Sequence, residues 1–196
     1  VSNDGHAPEA VAEREAVVAA LTEQLLAGAP DDEIEARTLL AHMLDWHRRE
    51  AKPDWWMYYA RKLMSDDQLL DDRECISGLV YVGDVEQVKE SMVQRYAFTT
   101  QDHKFKIGDK VHDAIDGSYT GEVVRVHDLA GEIDLKRGPT LVAKHPRALI
   151  PRPPVSTAVL EDAITRVAEH VIEHGLHAPG PYRAALDLLL RTRRDP

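Results

Sequence analysis

The stretch from Lys104 to Gly138, KFKIGDKVHDAIDGSYTGEVVRVHDLAGEIDLKRG, decides the fold. Gly108-Asp109 reads as a turn ahead of a strand over Lys110–Ile115, and Asp116-Gly117 as a turn ahead of Tyr119–His127. Ala130-Gly131 then precedes Glu132–Lys136, and Thr140–Lys144 reads as a last strand. Upstream, the segments 78–83 and 92–98 alternate well enough to add two more. Strands this short, with turns every 8–12 residues, predict a small antiparallel barrel of five or six strands, closed or nearly so. Closure removes the exposed edges that so short a sheet otherwise carries.

The flanks read as helices. Val11, Val18, Leu21 and Leu25 share one stripe, which Gly28 and Pro30 stop. Asp31 and Asp32 cap a helix over about 32–51 with the stripe Ala36, Leu40, Met43, Leu44 and His47. Pro53 is expected to end it and to open the next helix. Trp55, Trp56, Tyr58 and Tyr59 are too close in sequence to share one face. Ser65-Asp66-Asp67 caps a short helix to about Ile76. Beyond Pro151, Pro153 and Pro154, Ser156 or Thr157 caps a helix carrying Leu160, Ala163, Ile164, Val167, Ala168, Val171 and Ile172, and Gly175 closes it. Pro179 to Pro181 open a last helix with Tyr182, Leu186, Leu189 and Leu190. The class is therefore α+β in three parts: a helical region over 1–77, a small β-barrel over 78–153, and C-terminal helices over 154–196. The Leu160 to Ile172 stripe needs an apolar partner, and the face of Leu40, Met43 and Leu44 is the nearest one.

Charge follows the same division. Residues 1–77 hold 17 acids against 8 bases, residues 78–153 hold 11 of each, and residues 154–196 hold 6 against 5. The net charge of −10 argues against a chain that coats nucleic acid by bulk attraction. No apolar run approaches a membrane span, and the N-terminus lacks the pattern of a signal peptide. The single cysteine, Cys75, excludes an intrachain disulfide and a cysteine-based zinc site, which fits a reducing, cytoplasmic compartment. The opening Val1 and the closing Arg193-Arg194-Asp195-Pro196 read as cut ends within a longer protein.

Catalytic signals are missing. There is no phosphate-cradling G-x-x-x-x-G-K-[ST], no G-x-G-x-x-G and no G-x-S-x-G. His170, His174 and His177 fall at i, i+4 and i+7 near Glu169 and Glu173, but Gly175 interrupts them and they read as a solvated polar face. Cys75 reads as a buried structural thiol rather than a nucleophile, and Asp66, Asp67, Asp71 and Asp72 as a solvated acidic face. The segment from Trp46 to Trp56 reads as aromatic packing under arginine lids, with phosphate gripping or base stacking as its other reading. The best functional surface is the barrel, where Lys104, Lys106, Lys110, Arg125, Lys136, Arg137, Lys144 and Arg147 fall on strands or turns beside Tyr96, Phe98, Phe105 and Tyr119. Small barrels bind nucleic acid through such groups. Lys136 and Arg137 are both expected to be solvated.

Several strings carry a resemblance. They are Leu44-Asp-Trp-His-Arg-Arg-Glu-Ala-Lys-Pro-Asp-Trp-Trp56, Asp71-Asp-Arg-Glu74, Gln101-Asp-His-Lys104, Gly108-Asp109, Gly131-Glu-Ile-Asp-Leu-Lys-Arg-Gly138, His145-Pro-Arg-Ala-Leu-Ile150 and the helix Tyr182 to Arg191. Over about residues 35–194 the chain resembles the middle of bacterial proteins that join a RecB-like nuclease to a superfamily 1 Upf-like helicase. The resemblance implies a small barrel on a stalk of helices that contacts or gates the nucleic-acid strand. It also implies flanking nuclease and helicase domains, with ATP and magnesium belonging to that parent protein. The family's catalytic residues match no position here, so this part is expected to bind or position weakly held single-stranded or forked nucleic acid, without a metal or cofactor of its own and without hydrolysing ATP or cutting DNA. A second reading rests on Phe105-Lys-Ile-Gly-Asp-Lys-Val111 and Gly121-Glu-Val-Val-Arg-Val126, which resemble a KOW-type element contacting RNA or a protein partner. A third is a free-standing metal enzyme built on the histidine-rich helix.

Overall fold

Leucines spaced for a helix need an apolar wall, and the two ends of the chain supply it to each other. The structure, a computed structural model, describes residues 8–191; the closing basic pair Arg193-Arg194 lies outside the described residues. The helices α1 (Pro8–Leu26) and α2 (Ile34–Met43) pack with α5 (Ala158–His174) and α6 (Arg183–Leu190). Their shared core is Leu21, Leu25, Ala36, Leu40, Leu44, Ala168, Val171, Leu176 and Leu186, with Ile164 and Val167 packed against it. The expected pairing is present from Ile164 to Ile172 against Leu40 and Leu44, with α1 sharing in it, whereas Leu160 and Met43 at its margin are exposed. Thr157 precedes α5, but its hydroxyl donates to the Glu161 carboxylate (2.7 Å) instead of capping a backbone N–H. Gly175 ends α5 at φ +82°.

The helix expected over 32–51 is two helices. α2 stops at Met43, and α3 (Trp46–Arg61) begins after Asp45, whose carboxylate takes a forked pair of bonds from Arg48 at 2.5 and 3.2 Å. A carboxylate just ahead of a helix faces its positive end, which favours a new start there. Pro53 lies inside α3 rather than at its end, where it lacks the N–H that Arg49's carbonyl would accept. The chain divides at this point: Val1–Lys52 and Val155–Pro196 form one unit, and Pro53–Pro154 the other. In the second unit Trp55 and Tyr58 are buried while Trp56 is 65% exposed, as four crowded aromatics require. The short helix α4 (Asp66–Asp71) starts with a reciprocal cap between Ser65 and Gln68.

Seven strands follow: β1 (Ile76–Ser77), β2 (Val80–Val88), β3 (Ser91–Ala97), β4 (Lys110–Asp113), β5 (Tyr119–His127), β6 (Glu132–Arg137) and β7 (Ala148–Pro151). All pairings are antiparallel, in the order β1-β7-β4-β5-β6-β3-β2. The sheet curls into a half-barrel with β1 and β2 as its two edges, so it has seven strands rather than five or six and stops short of closure. The strand expected over Thr140–Lys144 is absent. Gly138-Pro139 halts β6, and the N–H groups of Leu141 and Lys144 fold back onto Gly138 and Leu141 carbonyls, both at 2.9 Å. The last strand is instead Ala148–Pro151, buried up to Ile150 and inserted between β1 and β4. Inside the curl lie Ile76, Leu79, Tyr96, Phe98, Phe105, Val111, Val123, Ile133, Leu135 and Leu149. The β5–β6 connection requires a glycine: Gly131 has φ +62°, and a Cβ there would stand 2.5 Å from the Phe98 carbonyl oxygen. Among the described residues no helix is long and apolar enough to cross a membrane.

Candidate nucleic-acid interface

Alternation along the strands sorts the basic side chains by face. On the outer face, Asp134 is fully buried beneath two arginines. Arg95 forks onto it at 2.7 and 3.0 Å, and Arg125 reaches it at 3.3 Å while also donating to Glu86 at 2.6 Å. Burial alone would raise the Asp134 carboxyl, but the hydrogen bonds from Arg95 and Arg125 outweigh it and hold the group below the usual carboxylate range. Lys136 pairs with Glu122 at 3.5 Å, across the β5–β6 register that sets them side by side. Lys104 pairs with Glu74, and Arg147 with Asp66 at 3.8 Å. These cations therefore have carboxylate partners of their own.

Arg137 overturns the expectation of a solvated side chain. It is 1% exposed and lies on the inner face, in step with Ile133 and Leu135. Its Nε donates to the Thr120 carbonyl (2.8 Å), and its Nη1 donates to Gln94 Oε1 (3.1 Å) and to the Tyr96 hydroxyl. Such a group cannot reach a phosphate in solution. The period-two run Ile133, Leu135, Arg137 is the signal that places it inward.

Lys106, Lys110 and Lys144 are exposed and form no ion pair among the described residues. Two further features bring part of this set together. The Asp109 carboxylate accepts the Lys106 N–H (2.8 Å), and Gly108 donates to the Val123 carbonyl (2.8 Å), which pins the loop against β5. Beside this loop a cleft of about 380 Å³ is lined by Glu74, Lys104, Phe105, Gly108, Asp109, Lys110, Pro151 and Arg152. Glu74 is matched by Lys104, and Asp109 serves the loop backbone. Lys110 and Arg152 remain as the cleft's cations without a carboxylate partner among the described residues. Arg152 was not among the residues expected at the site, because it follows β7 in a proline-rich stretch that reads as a boundary.

The aromatic expectations shift as well. Tyr96, Phe98 and Phe105 are core residues, and only Tyr119 of that set is exposed. Cys75 is buried, and burial with the nearby Asp72 carboxylate pushes its thiol up to about 12. A thiol held protonated is not a nucleophile. Among the described residues no group of three or more His, Cys, Asp or Glu side chains converges to hold a metal ion. His170 and His174 are neighbours, but their rings meet edge to face, and the His170 ring meets Tyr182 in the same way. A scan against protein-family models finds no match, and no curated protein matches the sequence.

Proposed function

We propose that the β unit is an accessory nucleic-acid-contacting module of a cytoplasmic helicase–nuclease protein, with ATP and magnesium used by the parent's other domains. The observation that carries this reading is the cleft bordered by Lys110 and Arg152. The paired cations elsewhere on the sheet are neutralised, whereas this loop and strand end leave positive charge facing solvent. Phosphates are the natural occupants of such a cleft, and binding there is weak because the whole chain carries −10. The resemblance to helicase stalk-and-barrel regions supports a strand as the source of those phosphates. Protein contact, the other reading, is supported by the exposed valines of β2: Val80, Val82, Val85 and Val88.

The test is a fluorescence-anisotropy titration of a labelled single-stranded oligonucleotide at two salt concentrations. Wild type is expected to bind weakly and to lose affinity as salt rises. Lys110→Glu with Arg152→Glu is expected to weaken binding further, and the salt slope is expected to fall by about 0.7 for every phosphate left without its cation. Binding unchanged by the double substitution, or insensitive to salt, overturns the reading in favour of a protein-docking role.

A further inference from the structure

Away from the cleft, one cluster is built with more care than its exposure warrants. Tyr81 on the edge strand β2 is 37% exposed, and its ring stacks on the exposed ring of His145 with centroids 4.1 Å apart and planes 24° from parallel. Both rings are held from behind. The Tyr81 hydroxyl donates to Asp84 Oδ1 (2.8 Å), which also accepts from Gln94 Nε2 (2.9 Å). His145 Nδ1 lies 3.0 Å from the Tyr96 hydroxyl.

The Tyr96 hydroxyl lies within hydrogen-bond reach of both Gln94 Oε1 (3.1 Å) and His145 Nδ1 (3.0 Å). Arg137 donates to both Gln94 Oε1 and the Tyr96 oxygen. The Tyr96 hydroxyl either donates to Gln94 Oε1 and accepts from His145 Nδ1, or donates to His145 Nδ1. In both arrangements the relay Arg137, Tyr96, His145 holds the ring's orientation. Arg137 itself is nine-tenths and more buried, yet among the described residues it touches only neutral acceptors. Asp113 feels this charge from a distance, but no carboxylate is bonded to it beneath the ring pair. Two flat faces fixed in place lose little freedom on stacking a third, and since the Asp84 carboxylate behind Tyr81 opposes the Arg137 charge, the pair offers a ring surface rather than a phosphate site.

We propose that Tyr81 and His145, held by the Arg137–Tyr96 relay, form a stacking site for one base of a single-stranded nucleic acid. This deepens the nucleic-acid reading and rests on it, but uses residues separate from the cationic cleft. The test compares a labelled oligothymidylate with an abasic chain of the same length and phosphate count, titrated against the full chain. Wild type is expected to bind the abasic chain roughly five- to a hundredfold more weakly, the range set by loss of one stacked base. His145→Ala is expected to lose the same factor on oligothymidylate, to bind both chains alike, and to keep the wild-type salt slope. Tyr81→Phe, which retains the ring, is expected to keep the discrimination. Circular dichroism checks that each variant is folded.

If the cleft variant Lys110→Glu with Arg152→Glu loses affinity while His145→Ala binds and discriminates as wild type, the stacking site is overturned and the nucleic-acid reading stands. If wild type binds neither chain, both are overturned.

Discussion

Arg95 and Arg137 sit on adjacent, paired strands, and their surroundings are opposite. Arg95 faces outward onto the buried Asp134 carboxylate, in a cluster with Arg125, Glu86 and Glu132. Arg137 faces inward onto a carbonyl, an amide and a phenol, with no carboxylate bonded to it. The outer arginines keep part of their hydration, so their pairing adds little beyond shielding Asp134. The inner one has exchanged all its water for neutral acceptors. Interior polar groups of this kind hold strands in register only while every partner is present.

The largest expected effect comes from breaking the inner arrangement. Arg137→Ala removes a donor from three buried acceptors on two strands, Gln94 and Tyr96 on β3 and Thr120 on β5, of which Thr120 loses its side-chain partner outright. An unsatisfied buried group costs about 1–3 kcal/mol, and relief of the buried charge offsets part of the total. The net expected loss in urea unfolding is about 3 kcal/mol. Arg137→Met sharpens the comparison: it fills the space without donors and is expected to be destabilising too. A methionine variant as stable as wild type would show that the inner arginine is held for its charge and not for the fold.

The next effect belongs to Asp134. Asp134→Asn keeps the shape and removes the charge that gathers Arg95 and Arg125, for an expected loss of about 1–3 kcal/mol at neutral pH, less than for Arg137 because both arginines can rehydrate. The pH dependence has a defined sign. A carboxyl held low in the folded state contributes stability above its ordinary value near 4, and that contribution is lost as pH falls through the lowered folded-state value. Acid titration of the unfolding midpoint below about pH 4 is expected to be steeper for wild type than for Asp134→Asn. Equal slopes would mean that the arginines do not stabilise the charged form.

The smallest effect is on the outer surface. Lys136→Glu sets a like charge against Glu122 in a pair that is one-third exposed on both sides. The expected loss is at most about 1 kcal/mol, with unchanged circular dichroism. A collapse of the fold on this substitution would erase the distinction between the two faces.

The sequence announces the regular parts of the molecule and conceals the exceptions. Gly131 and the alternation of Val123, Ile133 and Leu135 make β5 and β6 readable, because only a glycine fits that turn and only one face of each strand is apolar. β7 is not readable: Ala148-Leu149-Ile150 is too short to show a period, and the valine-bearing stretch before it looks more like a strand until Pro139 is weighed. The break at Leu44-Asp45 is hidden because the leucine stripe runs up to it without a miss. At the candidate site, Lys106, Lys110 and Lys144 are exposed as their sequence context suggests. Arg137 is not, since its Gly138-Pro139 neighbours speak of a turn more loudly than Ile133 and Leu135 speak of a core. Tyr81 and His145 are invisible as a pair, because nothing local to either residue states that the segment before β7 is brought against β2.

The division of the chain has a consequence for how the protein is made. The β unit is one continuous stretch, and three of its six pairings join consecutive strands while β7 completes the sheet, so it can fold once β7 has emerged. The helical unit is drawn from both ends, with the entire β unit synthesised between its halves. At about 5–20 residues per second, Leu21, Leu25, Leu40 and Leu44 wait roughly 6–33 s for Ala168, Val171 and Leu186. During that interval the nascent chain presents a greasy, half-built surface beside a finished one, so a ribosome stalled before α5 carries the species most dependent on a chaperone.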